Sequence, residues 1–493
     1  MNQNLALAVD LGGSGGKLFV GSLENGKAAF TPVYKFPNRI VLLKGRAYWD
    51  FLRIFDEIKT GYQIAQKAFD GKIESVAIDS WCNDYALLTK NGTMLETPRN
   101  YRDSRTEGWI ERADKLMPKF EVYQKTGQQF ARFETCYHLL AAMEQDGDIV
   151  KIAEDLLFVP DYLSYLLGAK KYTEYTIASV TNLYNILENK WDDDIFHAYG
   201  LRQDLFSPVV RPGDKVGRVS REICSELNTV SADIYAVGAH DTASAVAATP
   251  ARGDDDFLFI SSGTWSLVGA ELKKPIMTRE SMEAGFGNEG GVQDRVRYIR
   301  NVMGLWILQE CVRIWKQQGK EYTFAGLAEM ASQVRCDNIF IDPDDERLFE
   351  PTDMPAVVAE LCRENGYAPQ NDAELARIVT QSLACKYRYV VEKIETLTKR
   401  SYDGIHIIGG GSRNDFLNQL TADFTGKKIF AGPADATGIG NLLTQWIGRG
   451  LLKDLGEARE VCARSCEIKE YIPMCGGDMG RQYQTFLQQT KLK

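Results

Sequence analysis

Histidine is scarce in this 493-residue chain, and cysteine never clusters. The four histidines, His138, His197, His240 and His406, include no pair at metal-ligand spacing, which argues against a zinc centre. None of the ten cysteines forms Cys-x-x-Cys, and the nearest pair is Cys462 and Cys466. A zinc ribbon or disulfide framework is therefore not expected, and free thiols in a reducing cytoplasm are. No run approaches the roughly 20 apolar residues of a membrane span. No charged leader with a cleavage site precedes the first apolar stretch, which also predicts a cytoplasmic location. There is no basic stripe with interleaved aromatics, and a net charge of −9 is spread over interspersed acidic and basic residues. Neither nucleic acid nor membrane is an expected partner.

What is present is an alternation of strand and helix patterns, the α/β signature, over a length that predicts two or more domains. The most telling segment is Leu5 to Val20. An apolar run ends in Asp10, the glycine-rich stretch Gly12-Gly13-Ser14-Gly15-Gly16-Lys17 follows, and a second apolar run leads to the turn Glu24-Asn25-Gly26-Lys27. This is strand, turn, strand. A Walker loop ending in Gly16-Lys17 would need Gly at 11 and a hydroxyl at 18, and both are Leu. The dinucleotide fingerprint lacks its third Gly. What remains is either an ordinary hairpin or one whose backbone N–H groups cradle phosphate. For the latter, glycines supply positive φ and close approach, and Asp10 can hold a hydrated Mg²⁺.

Further along, a helix is expected over 51–69. A strand over 74–79 leads into Ser80-Trp81-Cys82-Asn83-Asp84, and a strand near 235–238 leads into His240-Asp241-Thr242. Punctuation at Thr249-Pro250-Ala251-Arg252-Gly253 marks the domain boundary, dividing the chain into 1–249 and 250–493. The second half opens as the first does: Phe257 to Gly269 is strand, small polar turn, strand. Helices are expected over 304–317 and 373–399. Ile405 to Asn414 reads as strand, glycine turn and helix start, suited to a nucleotide's phosphates or ribose or simply a tight turn. Gly432 to Asn441 opens a last helix, whose small residues suit close packing or a base. Gly285-Phe286-Gly287-Asn288 is glycine-rich enough to move.

Several ordered stretches then match one family: Asp10-Leu11-Gly12, Tyr101 to Thr106, His240 to Val246, Ser261 to Leu267, Asn288-Glu289-Gly290-Gly291, Met303-Gly304-Leu305-Trp306 and Gly409-Gly410-Gly411. The chain resembles the FGGY carbohydrate kinases almost end to end. The resemblance implies two actin-like (ribonuclease-H-like) domains with an interdomain cleft. Residues 1–249 would be sugar-binding and 250–493 nucleotide-binding. It implies ATP and Mg²⁺ as cofactors, and a small-molecule sugar as partner to a monomer or homodimer. The implied reaction transfers the γ-phosphoryl of MgATP to the 1-hydroxyl of a ketose, L-rhamnulose.

By the same resemblance Asp241 is the catalytic base, although a helix N-cap is the ordinary work of such an Asp. Cys82, Asn83, Asp84, His240, Asp241, Thr242 and Asn301 would contact the sugar. Asp79 shares their strand and turn, and Trp81, Tyr85 or Phe133 could meet a deoxy-sugar's methyl group. Gly13, Ser14, Gly15, Gly16, Lys17, Thr264, Gln309 and Gly410 would contact ATP, and Asp10 would hold Mg²⁺ through water. The chain departs from the pattern at three places. Cys82-Asn83 stands where Gly-Val is usual, Glu134 where an amide is usual, and Lys17 where Arg is usual. The first two leave L-fuculose, a pentulose or a polyol as alternative acceptors. A non-catalytic sensor on the same fold is the remoter alternative.

Overall fold

The computed structural model describes residues 4–253, 256–474 and 478–492. Contacts divide the chain into two units. One takes Met1–Asp254, Leu272–Tyr298 and Ala436–Ser465; the other takes Asp255–Glu271, Ile299–Asp435 and Cys466–Lys493.

The first unit is built on six strands: β1 (Ala6–Gly12), β2 (Gly15–Glu24), β3 (Lys27–Pro37), β4 (Ser75–Ser80), β5 (Lys215–Arg218) and β6 (Asp233–Tyr235). Their order is β5-β6-β4-β1-β2-β3. The expected hairpin forms, with Asp10 opposite Lys17 and Gly12 opposite Gly15. At the next turn Asn25 (φ 50°) and Gly26 (φ 70°) are both left-handed, the pattern that matches a hairpin's twist. Leu7, Val9 and Leu11 point from β1 into a core shared with Phe51, Ile54, Ile58 and Tyr62 of helix α1 (Phe51–Ala68). That alternation is the two-residue period of a strand meeting the 3.6-residue period of a helix.

The other face of the hairpin is covered by a segment from far along the chain. Helix α2 (Asp241–Ala247) and helix α3 (Ala436–Gly448) lie together beside β1. A Cβ on Gly21 of β2 would stand 2.8 Å from Leu442, and one on Gly440 would collide with Ser244 O of α2. The small residues around 438–440 therefore serve helix packing within this unit. Helix α3 is also not the last: Leu455–Ser465 and Met479–Thr490 follow. A second apolar cluster, including Tyr85, Tyr137, Leu140, Phe158 and Phe196, fills the helical segment between β4 and β5.

In the second unit β7 (Phe257–Ser262), β8 (Trp265–Leu272), β9 (Gly404–Ile408), β10 (Lys428–Ala431) and β11 (Lys469–Tyr471) follow the order β8-β7-β9-β10-β11. β7 pairs antiparallel with β8 and parallel with β9. The other expected helices form as Trp306–Gln317 and Asp372–Thr398. No helix is long and apolar enough to cross a membrane, among the described residues. The described cysteines are all free thiols; Cys475 lies outside the described residues. The stretch 285–288 is tied down rather than loose. Asn288 is fully buried, donating to Gly127 O (3.1 Å) and Ile276 O (2.9 Å).

Candidate active site

Three carboxylates converge near the ends of the central strands of the first sheet. Asp10 and Asp79 are register partners on the parallel strands β1 and β4. The next residue, Ser80, donates its N–H to Ala239 O (2.8 Å) and bridges to His240, which places Asp241 one residue further on.

Their surroundings set them apart. Asp79 is fully buried, and its Oδ2 accepts from Asn441 of α3 at 2.6 Å. Burial, then the charges of Asp10 and Asp241, push its carboxyl well above the usual range. It therefore belongs to the support beneath the site rather than to a sugar-facing wall. The Asp241 side chain is 34% exposed. It is the first residue of α2, and His240 is the N-cap, without a capping side-chain bond. Its Oδ1 accepts from Thr242 N–H (2.6 Å) and Thr242 Oγ1 (3.2 Å), and stands 3.5 Å from His240 Nε2.

The backbone of this turn is held from beneath. Glu174 Oε2 accepts from the N–H groups of Thr176 (2.8 Å), Ile177 (3.2 Å) and Ala239 (3.2 Å), and from the Thr176 hydroxyl (2.5 Å). That hydroxyl in turn accepts from His240 N–H at 3.1 Å. Burial pushes Glu174 up to about 7 against these four donors. The His240 ring is held by a buried ion pair. Arg297 Nη2 bonds Nδ1 at 3.2 Å, and Arg297 Nη1 lies 2.8 Å from Glu289 Oε2. Burial opposes ionisation of Glu289, but Arg297 and then His240 outweigh it and hold the carboxyl low.

Beside this turn, Asn83 is left-handed at φ 76°, a conformation Asn tolerates and β-branched residues resist. The Thr135 hydroxyl donates to Asn83 O (3.0 Å). Burial, followed by Glu289, Glu134, Asp241 and Asp84, raises the Cys82 thiol well above its ordinary value. Cys82 thus lies among four acidic side chains. Glu134 is buried with Oε2 unpaired, and burial and the Glu289 charge push it well up. Asp84 is turned inward. Its Oδ2 accepts from Trp49 Nε1 (2.6 Å), Trp81 Nε1 (2.8 Å) and Tyr101 N–H (3.2 Å), and burial pushes it up to about 7. Trp81 stacks on Trp49 at 4.0 Å, in the core rather than open to a ligand.

In the β1–β2 hairpin Gly13 and Ser14 form an exposed turn. Gly12, Gly13, Gly15 and Gly16 are not among the residues of positive φ, so the expected left-handed nest is not what requires glycine here. Space is: a Cβ on Gly15 would stand 2.6 Å from Phe36 O, and one on Gly16 would collide with the Phe36 ring.

In the second unit two expected nucleotide-side residues, Thr264 and Gln309, come together. Thr264 Oγ1 donates to Gln309 Oε1 at 3.2 Å, and the start of helix Trp306–Gln317 is pinned to the hairpin by Trp306 N–H to Thr264 O (3.1 Å). Gly409 (φ 83°) packs against Ser262, and Gly410 faces open space, with nothing within 4 Å of a Cβ there. Asn301, on the strand Val296–Met303, is in this unit too, with its Oδ1 buried and unpaired.

Glu174, Arg297 and Asn441 were not singled out in the sequence. Glu289 carried one signal, its place in a matched stretch. The others act through contacts between distant segments, which no local pattern reports.

Two kinds of comparison bear on this arrangement. The model of the FGGY family of carbohydrate kinases, N-terminal domain, matches residues 5–248, and that of the C-terminal domain matches 258–448. The chain belongs to the FGGY family of carbohydrate kinases. Its curated relatives include the rhamnulokinase of Halalkalibacterium halodurans, 38% identical, covering 95% of this chain and 99% of that one. The rhamnulokinase of Bacillus subtilis is 37% identical, covering 99% and 98%. Among solved structures, a ligand-bound xylulose kinase from Lactobacillus acidophilus superposes with a TM-score of 0.78 at 18% identity, covering 99% and 96%. Plasmodium falciparum glycerol kinase with ADP gives 0.79 at 13%, covering 99% and 97%. These structures share the two-domain fold.

Proposed function

We propose that this carbohydrate kinase transfers the γ-phosphoryl group of ATP to the 1-hydroxyl of L-rhamnulose. The observation that carries the chemistry is the open Asp241 carboxylate at the start of α2, beside two carboxylates of different character. The near full-length similarity to rhamnulokinases carries the substrate. Asp241 accepts the proton of O1 as O1 bonds to the γ-phosphorus; the bond from that phosphorus to the β-bridging oxygen breaks, and ADP leaves. Thr242 fixes the carboxylate's direction. Cys82, Asn83, Asp84, His240 and Thr242 hold the sugar on the first unit, and Asn301 also contacts it.

The hairpin residues Gly13, Ser14, Gly15, Gly16 and Lys17, with Thr264, Gln309 and Gly410, hold ATP. Asp10 fits a magnesium ion bound through water. It stands in register with Asp79 on neighbouring parallel strands, and no cage of three or more metal ligands occurs among the described residues. Such an ion would offset charge on the phosphates. We place the enzyme in the cytoplasm as a monomer or homodimer.

The test is ADP release with MgATP against L-rhamnulose, L-fuculose, L-xylulose, D-ribulose and glycerol. L-Rhamnulose is expected to give the highest kcat/KM. Another winner would overturn the substrate and turn attention to Cys82, Asn83 and Glu134. No sugar-stimulated release would overturn the kinase assignment of the site.

A further inference from the structure

We infer that Arg102 is a further catalytic residue of the transfer, its guanidinium binding the γ-phosphoryl oxygens of an ATP seated on the β1–β2 hairpin. The inference rests on the kinase reading of the site. The Tyr101 hydroxyl faces the exposed turn of that hairpin: a Cβ on Gly13 would stand 3.8 Å from it. Arg102 Nε donates to the same hydroxyl at 3.4 Å, and the guanidinium carbon lies 5.6 Å from the centre of the Tyr101 ring. The guanidinium is therefore one hydroxyl away from the backbone expected to carry phosphate.

Both sides of this contact are tied down. Asn38 donates its N–H to Ser14 O (3.0 Å) and its Nδ2 to Gly12 O (3.3 Å), which fixes the turn. Tyr101 N–H donates to Asp84 Oδ2 at 3.2 Å, the Tyr101 ring meets Phe133 edge-to-face at 6.4 Å, and Arg102 N–H donates to Asn100 Oδ1 at 2.8 Å. Asp84 follows Cys82-Asn83 directly, and Phe133 precedes Glu134. Tyr101 thus reaches from the hairpin to the expected sugar-side residues, and the γ-phosphorus is the atom that has to lie between nucleotide and sugar. Charge points the same way. Lys17 is the register partner of Asp10, and directly opposed residues share a face, so the hairpin's own cation is offset by an acid. Asp79 and Asp241 add carboxyls at the neighbouring strand ends. A triphosphate brings its extra negative charge at the γ end. A guanidinium is charged at any working pH, and its planar fork fits two phosphate oxygens at once.

Discrimination between ATP and ADP reads this contact apart from the sugar. The magnesium complexes of ADP and of the β,γ-imido analogue of ATP are titrated into the full-length protein by calorimetry. Arg102→Met is expected to weaken the analogue about 10- to 100-fold and ADP less than about twofold. With ATP and L-rhamnulose, kcat is expected to fall about 10³-fold with KM for the ketose little changed, and Arg102→Lys to recover part of that loss, since it restores the charge without the fork. An unchanged kcat, or a loss of affinity shared equally by both nucleotides, overturns the inference. Should Arg102→Met not fold, Arg102→Lys decides by the same comparison: a weaker analogue with unchanged ADP supports the contact, and two unchanged affinities overturn it. A loss confined to the analogue in a protein that phosphorylates no ketose would uphold the γ-phosphate contact and overturn the proposed substrate.

Discussion

The two units open with the same device and fill it differently. In each, an antiparallel hairpin has a first strand that also pairs parallel with a later one: β1 with β2 and β4, β7 with β8 and β9. In the first unit both parallel strands carry a carboxylate close to their ends, Asp10 and Asp79. In the second they end in hydroxyls and glycines: Ser261, Ser262 and Thr264 on one side, Gly409 to Gly411 on the other. The first end carries acidic side chains, the groups to which the proposed reaction assigns a cation and a proton. The second is uncharged there, and offers hydroxyls and bare backbone. One backbone geometry thus hosts two chemistries, chosen by which residues stand at the strand ends.

The largest effect that would break this contrast lies at the charged end. Asp241→Asn is expected to lower turnover roughly 10²- to 10⁴-fold while leaving ATP affinity unchanged, measured by steady-state kinetics and calorimetry. Near-normal turnover would remove Asp241 as the base. The next contrast separates glycines that serve packing from those that serve a ligand. Gly440→Ala pushes a methyl into Ser244 O and is expected to destabilise by about 1–3 kcal/mol, read as a lower midpoint in urea. Gly410→Ala meets open space. It is expected to leave stability within about 0.5 kcal/mol and raise KM for ATP about tenfold. The reverse pattern would exchange their roles.

The smallest effect concerns pH. Burial holds Asp84 at about 7 in the folded protein, against about 4 for a free carboxyl. The folded chain keeps a proton that the unfolded chain releases. This group's stabilisation is therefore full below about pH 4 and lost as the pH rises to about 7. Glu174 acts with the same sign. Asp84→Asn is expected to flatten part of the fall in Tm between about pH 5 and 7, and an unchanged slope would assign that fall elsewhere.

Much of this was legible in the chain. The hairpin at Asp10 announced itself by an apolar run, glycines and an Asn-Gly turn. The helix at Phe51 followed from local periodicity. What local signals misjudged were matters of space and distance. Glycines at 15 and 16 answer to the Phe36 strand rather than to φ. Asp79 faces Asn441 because a helix from late in the chain packs under β4. The stretch 285–288, loose by composition, is anchored by Asn288. Arg297 had no local mark at all, since its partners lie at 240, 289 and 290.

That late helix has a consequence for how the protein is made. Asn441 and Gln445 of α3 supply the donors for Asp79 Oδ2 of β4 and Leu7 O of β1. A ribosome has therefore to synthesise roughly 190 residues beyond Thr249 before the first unit can close. At about 5–20 residues per second that is a wait of roughly 10–40 s. During it, the nascent sheet carries an uncovered face and a buried-to-be acid without its partner. A chain cut at the domain boundary read from the sequence would remain in that state permanently, a candidate for chaperone capture rather than a free-standing sugar-binding module.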